Sequence, residues 1–250
     1  MSEPEGPKPS YPVVVRWTHW INAFALLLLV GSGLQIFNAH PALYAADASD
    51  PRHVVLALPQ AFTFNSPPVL FGQRLRWLPL PENFGYLVTL GGWLEGARRL
   101  HFAAAWLFLL NGVLYLGTML ASRRKRAVWP FGGDYAQLWP SFKAHFRFPP
   151  ELHGPGGTLN PLQKLSYALL ALVVGPLVIA TGLALSPQWD AIFPFWTVLF
   201  GGRQFARTWH FVAMLGLVAF TIGHIGLVAA SGPSTLKRML LGDPKGAPRE

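Results

Sequence analysis

The 250-residue chain contains no cysteine. Disulfides, iron–sulfur clusters, thiolate haem ligation and zinc–cysteine sites are therefore excluded as chemistry borne by the chain itself. Charge is scarce as well. Asp, Glu, Lys and Arg together make up 12% of the residues, about half the share usual in a soluble domain. Acids are rarer than bases, 11 against 20, which leaves a formal charge of +9. The first ten residues, Met1 to Ser10, are polar and proline-rich and lack the charged-then-apolar run of a cleaved signal peptide. No internal repeat or low-complexity tract is evident, and 1–250 reads as a single domain.

What the chain does have is apolar surface. Hydrophobic residues make up 52% of it, with 10 Trp and 18 Phe for interfacial belts and for packing around a flat apolar group. Four stretches are long enough to cross about 30 Å of hydrocarbon as helices: about 17–37, 101–121, 165–185 and 209–230, the third with an expected kink at Gly175-Pro176. The run from Ile192 to Phe200 is too short to span and contains Pro194, so it reads as interfacial. Prolines 59, 67 and 68 rule out a fifth span near residues 53–72. The expected class is an all-α membrane protein, a four-helix bundle with a long loop at 38–99.

The basic residues follow this topology, which argues against nucleic acid as the reason for the positive charge. Thirteen Lys and Arg fall before the first span, between the second and third, and after the fourth, including the cluster Arg123, Arg124, Lys125 and Arg126. Seven fall on the other side. The asymmetry predicts a multi-pass protein of the inner membrane with both termini in the cytoplasm and the 38–99 loop outside, in the periplasm of a diderm host. Phe62, Phe64, Phe71, Trp77, Phe84, Tyr86 and Trp93 argue that this loop is a folded cap able to meet a partner, or a lid over the bundle end, rather than a disordered segment.

The chemistry-bearing residues are histidines. His210 and His224 lie fourteen residues apart in the fourth span. Helical geometry separates them by about 21 Å and brings both rings to within about 40° of one face. An ionisable side chain inside a bilayer is costly and reads as functional by default. Depth pairs them with two more: His101, which opens the second span near the outer face, matches His210, and His19 in the first span matches His224. Two level pairs suggest two bis-histidine sites, and bis-imidazole ligation suits a low-spin haem b with no open position for oxygen chemistry. His40, His53, His145 and His153 fall in polar loops and read as solvated. Arg16, Arg98, Arg99 and Arg207 lie three residues or fewer before a candidate ligand, where a guanidinium fork suits a haem propionate or an interfacial anchor. Glycines at 31, 33, 112, 117, 182, 216, 223 and 226 leave room for close helix contact or for a porphyrin plane.

Three features together, Arg16-Trp-Thr-His19-Trp with Ser32-Gly33-Leu34, Arg98-Arg99-Leu-His101, and the His210/His224 spacing, resemble the bacterial cytochrome b561 family. That family includes the gamma subunit of membrane formate dehydrogenases and the cytochrome b subunits of hydrogenase and thiosulfate reductase. The likeness covers roughly Tyr11 to Leu241 apart from most of the outer loop. It implies two haems b with the same pairing, His19 with His224 and His101 with His210. It also implies a quinone site, because Asn160-Pro-Leu-Gln163-Lys164 is similar to the Asn-x-x-Gln-Lys segment of formate dehydrogenase gamma subunits, where the Asn side contributes to quinone binding. An Asn amide can hydrogen-bond a quinone carbonyl and a neighbouring Lys can handle protons; Asn160 is equally well suited to cap the third span ahead of Pro161.

The expected function is transfer of electrons between the quinone pool and a periplasmic redox partner. The layout around Gly201-Gly-Arg203 is similar to family members associated with periplasmic molybdopterin oxidoreductases. Two alternatives stay open on the residues alone. One is a self-sufficient enzyme of the same fold, moving electrons between superoxide or a small acceptor and quinone. The other is a histidine-lined transporter or sensor for a transition metal.

Overall fold

The computed structural model describes residues 11–58, 69–74, 89, 92–122, 128–145 and 158–242. The polybasic cluster at 123–126, His153, and the loop aromatics Phe62, Phe64, Trp77, Phe84 and Tyr86 lie outside the described residues. In chain order the elements are α1 (Val13–Ala39), β1 (Ala42–Tyr44), β2 (Val54–Ala57), β3 (Val69–Leu70), β4 (Gln73–Arg74), α2 (Leu94–Ala121), α3 (Leu138–His145), α4 (Pro161–Leu169), α5 (Gly175–Ala184), α6 (Pro187–Ile192), α7 (Pro194–Leu199), α8 (Arg203–Ala230) and α9 (Pro233–Leu241).

Four helices are long and apolar enough to cross a membrane: α1, α2, the continuous stretch Pro161–Ala184 formed by α4 and α5, and α8. Each starts earlier than hydropathy alone places it, at Val13 rather than about 17, Leu94 rather than about 101, Pro161 rather than about 165 and Arg203 rather than about 209. The added turns contain Arg16, Arg98, Arg99, Lys164, Arg203 and Arg207, which depress hydropathy without breaking a helix. The expected kink is a π-helical turn at Leu170–Val174, where the Gly175 N–H bonds the Leu170 carbonyl. Pro176 has no N–H to return to the preceding turn, and the extra residue in the π turn absorbs that break. The run at 192–200 forms parts of two short helices, α6 and α7, which meet at Pro194.

The chain divides into two compact units: Met1–Ile21 with Asn111–Gly175 and Leu217–Glu250, and Asn22–Leu110 with Pro176–Gly216. In the first, buried Asn111 of α2 donates from Nδ2 to the Thr18 carbonyl of α1 at 2.7 Å. Trp20 donates from its indole to the Met239 carbonyl of α9 at 3.2 Å, and Arg238 lies over the Tyr11 ring at 5.4 Å. α4 opens on a capping box: Asn160 Oδ1 accepts from the Gln163 N–H at 2.9 Å, and Gln163 Oε1 accepts from the Asn160 N–H at 3.1 Å. Lys164 pairs with Asp134 at 3.2 Å. The Phe131 N–H, and after it Lys164, hold the Asp134 carboxyl below the usual carboxylate range.

The second unit contains a four-stranded antiparallel sheet in the order β1-β2-β3-β4, with Leu43 opposite Leu56 and Leu56 opposite Leu70. The all-α expectation therefore holds for the spans, while the segment between α1 and α2 includes strands. Buried Phe37 of α1 and Leu43 of β1 centre a cluster with Leu34, Val55, Leu56, Leu58 and Phe211. Polar contacts fasten β1 and its neighbours to the start of α8. Thr208 donates to the Tyr44 carbonyl at 2.8 Å, and Arg207 donates to the His40 and Ala42 carbonyls. The Asp47 carboxylate accepts from the Arg203 N–H at 3.2 Å, capping the helix from a distant part of the chain. Gly202, at φ +93°, faces that carboxylate, and an added Cβ would collide with it.

Two stability predictions follow from these helix starts. Gly202→Ala should lower the Tm of the detergent-solubilised protein, since left-handed backbone alone costs about 1–2 kcal/mol for a residue with a Cβ and Asp47 is displaced besides. As a control inside α2, Gly112→Ala, with nothing within 4 Å of the new methyl, should not lower Tm and should raise it slightly, since glycine in a helix interior costs about 0.5–1 kcal/mol relative to alanine. Asn160→Ala should cost about 1 kcal/mol through the lost cap, and Asn160→Asp should retain that stability in the same thermal unfolding experiment.

Candidate functional site

His101 of α2 and His210 of α8 have ring centroids 6.2 Å apart with planes at 67°. Each ring is held on its far side by a hydroxyl from a different helix. Ser32 of α1 gives its own proton to the Leu28 carbonyl at 2.6 Å, so its oxygen is left to accept from His101 Nδ1 at 3.0 Å. Thr181 of α5 does the same for His210, donating to the Leu177 carbonyl at 2.7 Å and accepting from Nδ1 at 3.1 Å. Both hydroxyl residues are fully buried, at 0% exposure. With Nδ1 carrying the proton, Nε2 of each ring keeps its lone pair, the form that ligates a metal.

His19 of α1 and His224 of α8 form the other pair, with centroids 5.9 Å apart and planes at 62°. Aromatic rings surround it. Trp20 meets His19 edge-on at 5.2 Å, Phe220 stacks on His224 at 5.8 Å and 7°, and Tyr167 of α4 meets His224 at 6.4 Å.

These spacings allow a direct test of ligation. Two imidazoles bound to one metal from opposite sides at about 2.0–2.1 Å per bond have ring centres roughly 6.3 Å apart. Both pairs fit, and the donor set of two neutral imidazoles per site suits haem iron. Among the described residues no group of three or more His, Cys, Asp and Glu is assembled to hold a metal ion. The four histidines thus meet as depth along the helices predicts.

The other candidate residues have identifiable partners. Arg16, one turn before His19, has a buried Nε with no hydrogen-bond acceptor among the described residues, which suits a carboxylate such as a propionate. Arg98 and Arg99 lie exposed along an open groove with Leu94, Glu95 and Phe102, and Arg99 pairs with Glu95 at 2.5 Å. Arg207 is committed to the His40 and Ala42 carbonyls and lies over the Phe37 ring at 5.5 Å. Asn160 and Gln163 cap α4, and Lys164 faces Asp134. Asn160, Gln163, Lys164 and Tyr167 nevertheless fall on one face of the helical run, by their spacing of three, four and seven residues, and Tyr167 is the member that reaches His224. His53 is exposed and paired with Asp50. Thr181 and Tyr167 were not singled out by the sequence. Their one signal was position, with Thr181 next to Gly182 in the third span and Tyr167 one turn beyond Gln163.

No solved structure matches the chain. A protein of Azospira oryzae, described as "Putative protein-methionine-sulfoxide reductase subunit YedZ1", is 30% identical over 236 residues, covering 93% of this chain and 96% of that protein. The family model described as prokaryotic cytochrome b561 matches residues 10–242, which takes in all four spans and all four paired histidines. The chain belongs to the prokaryotic cytochrome b561 family, membrane proteins that bind haem b and transfer electrons.

Proposed function

We propose that this chain is a dihaem cytochrome, with one haem b between His19 and His224 and a second between His101 and His210, and that it carries electrons between membrane quinone and a periplasmic oxidoreductase. The observation that carries the reading is the pair of ring separations, 5.9 and 6.2 Å, assembled from four histidines on three of the four spans. Haem b held by these histidines would supply a one-electron iron couple. The protein's part is to hold, orient and insulate it. Residues 1–250 act as one cytochrome domain in the inner membrane. Both termini are cytoplasmic, as the bias of Lys and Arg implies, so the His101/His210 site is the periplasmic one.

Quinone is assigned to the cytoplasmic end, along the face formed by Asn160, Gln163, Lys164 and Tyr167. Contact between Tyr167 and His224 supports that placement. Arg16 is assigned to a propionate of the His19/His224 haem, and Arg98 and Arg99 to the other. The partner is proposed to be a reductase, because the Azospira oryzae relative is described as a subunit of a protein-methionine-sulfoxide reductase. The likeness around Gly201-Gly-Arg203 favours one of the molybdopterin type. Reducing a sulfoxide to a thioether and water consumes two electrons and two protons, which sets the flow outward from quinol.

Pyridine haemochrome quantification on the purified protein should find two haems b per chain. His224→Ala should remove one and leave the other, and His210→Ala should remove the complementary one. A colourless protein, or a His224→Ala variant that keeps both haems or loses both, would overturn the assignment.

A further inference from the structure

The two rings of the His101/His210 pair are held by the same device, built twice on different helices. On α1 it is Ser32-Gly33 and on α5 Thr181-Gly182. In each, the hydroxyl spends its proton on the carbonyl four residues back and accepts from Nδ1. In each, the following glycine brings the ring against the backbone. A Cβ on Gly33 would approach His101 Cε1 to 3.3 Å, and one on Gly182 would approach His210 Cε1 to 3.2 Å. Both distances are tighter than ordinary van der Waals contact, so a larger residue would push the ring off its hydroxyl. Around the His19/His224 pair the described ring neighbours are aromatic, Trp20, Phe220 and Tyr167, and among the described residues no hydroxyl is bonded to either ring.

We propose that Ser32 and Thr181 are positioning residues that set the reduction potential of the haem held by His101 and His210, and of that haem alone. A hydrogen bond drawn from Nδ1–H shifts electron density onto Nε2 and makes the imidazole a stronger donor, which favours ferric iron. A hydroxyl whose own proton is already committed can only accept, so it fixes the tautomer as well as the ring plane. Two such acceptors, one on each ring, would hold the couple of a haem bound there lower than rings without them. The inference rests on the haem ligation proposed above.

The test is a potentiometric titration of the haem-loaded protein in detergent, followed in the α-band. Ser32→Ala and Thr181→Val should each raise the midpoint of the same one of two transitions, giving several-fold more ferrous haem at a fixed potential. The double variant should raise it further, and the other transition should stay in place. Thr181→Ser keeps the hydroxyl and should leave both midpoints unmoved. If Ser32→Ala loses haem, Ser32→Cys, with its weaker acceptor, should move that midpoint in the same direction by less. Unmoved midpoints in variants that keep two haems, or a Thr181→Ser shift as large as that of Thr181→Val, would defeat this inference while leaving the ligation intact. A wild-type protein with fewer than two haems would defeat the ligation itself.

Discussion

An imidazole in hydrocarbon has two nitrogens, and neither can be left to water. That constraint organises the membrane part of this protein. For His101 and His210, one nitrogen is met by a hydroxyl on a neighbouring helix and the other faces the opposing histidine. The hydroxyl must itself be satisfied, so it bonds a carbonyl within its own helix. The residue beside it must be small enough for the ring to come close, so it is glycine. Each requirement fixes the next, from the histidine ring to the hydroxyl it bonds to the glycine beside that hydroxyl. The result is a pair of opposed ring nitrogens whose protonation and direction are set by the protein itself.

The segment between α1 and α2 shows the same economy where it meets the start of α8. Arg207 lies one turn before His210, where it could reach an acidic group on a cofactor, yet its donors go to the His40 and Ala42 carbonyls. Asp47 caps the same helix end, Thr208 bonds β1, and the Phe37–Leu43 cluster closes over Phe211. The helix that carries His210 is therefore anchored to the sheet by backbone and side-chain contacts together. Gly201 and Gly202, whose sequence layout resembles that of molybdopterin-partnered relatives, have a local task here: both adopt positive φ and lead the chain into that anchored start.

The spans and their histidines were legible because two simple rules constrain them. Length and hydropathy find the helices, and residue number along each helix gives depth, so His19 falls level with His224 and His101 with His210. The helix starts were less legible, because Arg98, Arg99, Arg203 and Arg207 lower hydropathy in turns that are nonetheless helical. The sheet was not legible at all. Its strands are two to four residues long, too short for a period-two pattern to register. Thr181 escaped for a different reason. A threonine in a span bonds its own helix in any case, and only the position of His210 across the helix pair shows that its oxygen is doing something more. Asn160 was ambiguous for a chemical reason: a helix cap and a quinone carbonyl ask for the same kind of side chain. Its oxygen is engaged in the cap.

The two histidine pairs are supported differently, and the proposed function asks for that difference. A protein partner at the periplasmic site exchanges only electrons. The ligands there need rigidity, a fixed tautomer and insulation, which buried hydroxyls and apposed glycines supply. Quinone exchanges protons along with electrons, so its site needs polar and ionisable groups within reach of the ligand pair. The unit that contains His19 and His224 also contains the Lys164–Asp134 ion pair, the Asn160–Gln163 cap and Tyr167, which joins that helix face to His224. Its aromatic walls, Trp20 and Phe220, pack a flat apolar group without fixing the protons of the rings. A site rigid in its hydrogen bonds and a site rich in exchangeable protons are opposed designs, and this chain carries one of each on helices that the two units share.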